Sequence, residues 1–171
     1  MNIATLSLVF PVILGIHNAE EYLRYGDFVR DYHGRVAARF LGRPVIRNAG
    51  VLLTLVAAVV CLLACLSQNE VFTEIFVVAT FALTLNALGH IVMSLRRRSI
   101  TPGTVSAVLL VLPYSVLVII VLRASSDTSW GSILRMAGFG MLLIPLAVAV
   151  FLLLGYATWL LQRRLRGEAE A

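Results

Sequence analysis

The chain has 171 residues, of which 60% are hydrophobic and only 13% charged, with a mean hydropathy of +0.92. A soluble domain carries about a quarter charged residues, so this composition excludes one and specifies an integral membrane protein. The net charge of +5 comes from arginine alone, and the arginines cluster at the ends of apolar runs, where they set topology and meet anionic lipid rather than nucleic acid.

In chain order, the first apolar run gives a span over about 3–23, with Pro11 at its middle and no charged residue from Ile3 to Ile16. The segment before it lacks a basic region, so this run reads as an uncleaved first span rather than a signal peptide. Residues 24–47 follow a different pattern. Phe28, Tyr32, Val36 and Phe40 recur every four residues, and so do Arg35, Arg39, Arg43 and Arg47. That describes an amphipathic helix lying in the headgroup region, ended by Gly42 and Pro44. Further spans are expected over about 49–67, 72–95, 104–122 and 133–162. Cys61 and Cys65 lie inside the second of the five and read as small packing residues. Gly138-Phe139-Gly140 reads as a helix-packing spot, and Tyr156 and Trp159 read as interfacial anchors.

The expected fold is therefore all-α: one domain over 1–171, with five transmembrane helices and one interfacial amphipathic helix. Its orientation follows from the arginines. Twelve of them lie in the 24–47 link, in Arg96-Arg97-Arg98 and in the tail; only Arg123 and Arg135 fall on the other side. The positive-inside bias puts the N-terminus outside, and the C-terminus and amphipathic helix on the cytoplasmic face of a cell membrane.

Two polar stretches interrupt the apolar runs. His17-Asn18-Ala19-Glu20-Glu21 closes the first span. A charged side chain at the centre of a membrane helix costs roughly 2.5–3.5 kcal/mol on insertion scales, so such groups need a reason to be there. His17, Glu20 and Glu21 project to one side of a helix. Asn86 and His90, four residues apart in the third span, also share a face. His90 precedes Arg96 by about 9 Å of helix and His17 precedes Arg24 by about 10 Å. The two spans run in the same direction, so both clusters are expected at one depth near the cytoplasmic leaflet. Gly15 and Gly89, beside the two histidines, would let the helices approach closely. The bland alternative keeps these residues structural: Glu20 and Glu21 reach Arg24 along the helix, and Asn86 and His90 bond to neighbouring helices.

His17-Asn18-Ala19-Glu20-Glu21 resembles the signature of the HXXEE family of small bacterial membrane proteins. Asn86-Ala87-Leu88-Gly89-His90 resembles that family's NXXXH motif, and Thr101-Pro102-Gly103 resembles its Pro-Gly turn. The likeness covers the first four spans. It implies that His17, Glu20, Glu21, Asn86 and His90 form the family's active site.

These residue types are compatible with three functions. Two histidines and two carboxylates (His17, Glu20, Glu21 and His90) are a ligand set for a divalent metal such as zinc or iron, which would activate water for hydrolysis or oxygen for oxidation. Alternatively, Glu20 or Glu21 acts as a metal-free acid or base in an isomerase or cyclase, with aromatics such as Phe10, Tyr22 and Tyr114 along the pocket or simply packed. The third class is a small transporter or assembly factor. The expected partners are membrane lipid and a hydrophobic small-molecule substrate of lipid, terpenoid or polyketide type. A homo-oligomer stays open, and spacing does not decide which glutamate is ligand and which is base.

Overall fold

The computed structural model describes residues 2–32, 42–67, 69–125 and 128–167. It is all-helical, with no strand among the described residues. Five helices are long and apolar enough to cross a membrane, and the chain is a multi-pass membrane protein.

The first helix, α1 (Ile3–Tyr32), runs past the apolar limit of its span. Hydropathy falls near Arg24, but backbone hydrogen bonding does not depend on it, and no proline or glycine pair stops the chain there. α2 (Arg43–Ser67) starts six residues before the expected 49, because Pro44 opens this helix instead of ending the one before it. Proline suits a first helical turn, where its missing N–H would have had no partner anyway. The expected amphipathic helix over 24–47 is thus divided. Its two ends continue α1 and α2, and residues 33–41, which include Arg35, Val36, Arg39 and Phe40, lie outside the described residues.

α3 (Glu70–Arg97) is capped by Asn69, whose side chain accepts the Val71 N–H. It stops at Arg98, held at φ 52°. Thr101, Pro102 and Gly103 then fold back under the helix end as a buried turn. α4 follows in three parts: Thr104–Ser106, a π-helical turn Ala107–Val111, and Leu112–Ser125. Such wide turns are inserted where a helix must re-aim a side chain, often at functional sites. α5 (Trp130–Leu165), at 36 residues, is about 54 Å long at 1.5 Å per residue. That exceeds a hydrocarbon core of about 30 Å, so it leans or projects beyond the bilayer.

The packed centre is α1 against α2, α3 and α4. Phe10 is buried edge-on against Phe76, with ring centroids 5.8 Å apart. The Tyr114 hydroxyl donates to the Leu6 carbonyl at 2.7 Å and joins α4 to α1. Asn18 donates to the Gly50 carbonyl at 3.2 Å and the Thr54 hydroxyl at 3.0 Å, joining α1 to α2. Interhelical bonds of this kind average about 0.6 kcal/mol each in membranes, so they fix register more than they stabilise.

α5 lies over this centre and touches it hard at two glycines. A Cβ on Gly155 would sit 2.5 Å from the Val45 carbonyl oxygen of α2, and one on Gly140 would sit 2.9 Å from the Ala82 nitrogen of α3. Gly138, in the same expected packing spot, has nothing within 4 Å. Nor is Gly89 a close-approach point: its neighbourhood is open, while a Cβ on Gly15 would make only an ordinary 3.4 Å contact with Thr54. Between the two glycine contacts α5 stands off, and Leu143, Ile144, Ala147 and Phe151 form one wall of a cavity of about 310 Å³.

Candidate active site

α1 and α3 bring the two polar stretches together. The rings of His17 and His90 lie edge to face with centroids 5.3 Å apart. Nε2 of both histidines faces the same carboxylate oxygen, Oε1 of Glu21, at 3.4 Å for His17 and 2.6 Å for His90. The Asn86 amide nitrogen lies 3.2 Å from each of the two Nε2 atoms. His17 is only 1% exposed, whereas His90 and Glu21 are partly open.

His17, Glu21 and His90 are the one group among the described residues whose ligand atoms could surround a metal ion; these atoms lie within 4.8 Å of one another. Two ligands on a tetrahedral zinc with bonds of 2.0–2.1 Å stand about 3.3 Å apart. The His17–Glu21 separation of 3.4 Å matches that figure. The His90–Glu21 contact at 2.6 Å is a direct hydrogen bond and would open by roughly 0.7 Å to admit an ion at those bond lengths.

Glu20 belongs to a different set of contacts. One carboxylate oxygen accepts the Ser106 N–H at 2.7 Å and the Ser106 hydroxyl at 2.6 Å, and the other accepts the Val105 N–H at 3.1 Å. Glu20 thus caps the first turn of α4, where free N–H groups and the positive helix end favour an anion. The same Ser106 hydroxyl oxygen lies 2.9 Å from Nδ1 of His17.

Two contacts at the start of α4 escape sequence reasoning. Gly103, at φ +79°, lies directly behind the cluster: a Cβ there would meet His17 Cε1 at 3.0 Å, and Glu21 Cγ and His90 Cδ2 at 3.2 Å. Ser106 contacts residues more than eighty positions earlier. Nothing in the local pattern marks it, although the Pro-Gly turn three residues before it was visible. The turn is held in place by hydroxyls. Thr101 donates to the His90 carbonyl at 3.2 Å, and Ser94 bonds to Thr101 at 2.8 Å and to Thr104 at 2.7 Å.

The polar cluster forms one end of the cavity beneath α5. His17, Asn18, Glu21 and Asn86 lie at this end, and Phe10, Leu14, Val60 and Phe76 form the apolar walls. A second cavity of about 240 Å³ meets the same cluster from the side of His90. Of the aromatics expected along a pocket, Phe10 lines the larger cavity, Tyr22 lines a separate cleft beside α2, and Tyr114 is buried as a helix tie.

No curated protein and no solved structure matches this chain. Residues 8–118 match the family described as "Protein of unknown function with HXXEE motif". That match contains the whole polar cluster and ends before α5. The chain belongs to the HXXEE family.

Proposed function

We propose that this protein is an integral-membrane enzyme that holds a divalent transition metal through His17, Glu21 and His90 and acts on a hydrophobic substrate in the adjoining cavity. The observation that carries the reading is the meeting of three metal-type ligand atoms, within 4.8 Å of one another, at the polar end of an apolar chamber. Ligand sites of this build, apolar with a few convergent polar groups, are where small molecules bind. A volume of about 310 Å³ lies at the small end of ligand pockets, about 300–1,000 Å³. The substrate class is a short isoprenoid, acyl or polyketide-like chain with one oxygen function at the polar end.

Two histidines and one carboxylate leave positions open on a metal, as catalytic zinc and non-haem iron sites require. The ion would supply Lewis acidity or an activated water. Asn86, whose amide nitrogen lies 3.2 Å from both Nε2 atoms, would be close enough to donate a hydrogen bond to an oxygen held at such an ion. Glu20 is not a ligand; its oxygens serve α4.

The arginine distribution supports an N-out, C-in orientation, with the site near the cytoplasmic leaflet and the 24–47 arginines against anionic headgroups. Substrate would then arrive laterally from lipid between α5 and its neighbours.

One observation favours a second, metal-free reading. The 2.6 Å bond between His90 and Glu21 is already a complete acid–base pair, suited to moving a proton on an alkene or epoxide. Elemental analysis of the purified protein, beside a mass-spectrometric survey of co-purified lipid, separates the two. Stoichiometric zinc or iron together with a bound short-chain amphiphile supports the metal enzyme. Catalytic turnover that persists after complete chelation supports the acid–base enzyme. Solute flux in proteoliposomes without chemical change would sink both.

A further inference from the structure

Ser106 stands between Glu20 and His17, and its single hydroxyl proton has to choose a direction. The Glu20 carboxylate oxygen is 2.6 Å away and is a charged acceptor; the Gly103 carbonyl is 3.3 Å away. Charge-assisted O–H···O bonds are the shorter and stronger kind, so the proton lies towards Glu20. Were it to point at His17 instead, two oxygens would face each other at 2.6 Å with no hydrogen between them. The Ser106 oxygen therefore presents a lone pair to Nδ1 of His17 at 2.9 Å, and Nδ1 must carry the hydrogen. Neutral imidazole free in water favours hydrogen on Nε2, so the protein inverts the intrinsic preference. At the other ring nitrogen the nearest group is a donor: the Asn86 amide nitrogen faces Nε2 at 3.2 Å, with the Glu21 carboxylate oxygen beyond it at 3.4 Å. His17 is 1% exposed, which leaves no solvent to rescue the other form.

We propose that Glu20 and Ser106 form a positioning relay that locks His17 as its Nδ1–H tautomer and aims the bare Nε2 at Glu21 and His90. Neither is a catalytic residue, because neither faces the cavity. The relay explains why two adjacent glutamates are present. Glu21 faces the reacting centre, and Glu20 fixes the orientation and basicity of the histidine beside it through Ser106. Carboxylates that act on a metal-ligating histidine through its second nitrogen play this role at metal sites, and losing such a partner costs about 10–100-fold in metal affinity. Only this last consequence rests on the metal reading; the tautomer itself does not.

The test is nitrogen-15 NMR of the full chain, labelled at histidine, metal-free and reconstituted in nanodiscs, with His33→Asn and His90→Asn used for assignment. The expected spectrum has a protonated Nδ1 and a bare Nε2 on His17. Ser106→Ala removes the hydroxyl but leaves both backbone N–H bonds to Glu20, so the cap on α4 survives. In that variant His17 should revert to the Nε2–H form or to a mixture, and Ser106→Thr should restore the wild-type pattern. Zinc affinity, measured in parallel, should fall about 10–100-fold in Ser106→Ala and recover in Ser106→Thr. A wild-type His17 in the Nε2–H form overturns the proposal, as does an unchanged Nδ1–H form in Ser106→Ala. If Ser106→Ala does not fold, the wild-type spectrum and Ser106→Thr decide. If the wild type binds no zinc, the metal reading fails while the tautomer result still judges the relay.

Discussion

Glu20 and Glu21 are neighbours in the chain and serve different helices. Glu21 meets His90 of α3 at 2.6 Å, and Glu20 accepts the Ser106 hydroxyl of α4 at 2.6 Å. Successive residues on a helix point about a hundred degrees apart, so one short motif reaches two neighbouring helices at once. Within it, His17 touches both sets of contacts, through Nδ1 to Ser106 and through Nε2 to Glu21.

The division of roles predicts unequal effects of matched substitutions. Glu21→Gln, His17→Ala and His90→Ala should each abolish metal retention and turnover while leaving expression and thermal stability near wild type. Glu20→Gln should keep the metal at reduced affinity and lose stability through the weakened cap, by about 0.5–2 kcal/mol. Metal content and thermal unfolding of the four purified variants check this. Equal metal loss in Glu20→Gln and Glu21→Gln would contradict it.

Gly103 is expected to tolerate no side chain. Its φ of +79° alone costs an L-residue about 1–2 kcal/mol, and the added Cβ would press on both histidines and Glu21. Gly103→Ala should lower stability by about 1–3 kcal/mol and weaken metal binding together. A variant as stable as wild type, with the metal still bound, would show that the turn does not shape the site.

The glycine contacts of α5 predict a position-specific pattern. Gly155→Ala and Gly140→Ala place a methyl against backbone atoms that cannot swing away, and overpacking of this kind costs about 1–3 kcal/mol. Gly138→Ala, with open surroundings, should be neutral within about 0.5 kcal/mol. Ala147→Phe, directed into the chamber, should displace co-purified lipid and suppress turnover without loss of metal. Thermal unfolding and lipid mass spectrometry read these outcomes.

The orientation is tested with reporter fusions in the link at 68–69 and at the C-terminus. The two should report opposite sides, with the C-terminus cytoplasmic. The same side for both would change the span count and overturn the N-out, C-in orientation.

The spans were legible in the sequence because hydropathy reports what a bilayer accepts, and the expected limits of the first span agree with its apolar segment, Ile3–Arg24. Helix ends were not, because charge ends a span without ending a helix, and Pro44 starts α2 where a stop was expected. The meeting of His17 with His90 followed from equal distances to arginine boundaries, a geometric cue that needs no knowledge of packing. Ser106 gave no such cue, and the Pro-Gly motif marked Gly103 only as part of a turn, not as a neighbour of the site. Their roles arise from a turn whose three-dimensional path brings α4 back against α1, and serine and glycine are common in such turns. Asn18, unremarkable within its motif, turned out to join α1 to α2. Asn86 also bonds between helices, from α3 to His17 of α1, so the interhelical role weighed for it is shared by both asparagines.

The most direct test of the metal centre is titration of the chelator-treated full-length protein with cobalt(II), followed by visible absorption. The account predicts one cobalt per chain, with the intense d–d bands of a four- or five-coordinate site. Those bands should be absent from His17→Ala, Glu21→Gln and His90→Ala and present in Glu20→Gln. No bands in the wild type, or equal bands in all four variants, would contradict a metal held by His17, Glu21 and His90.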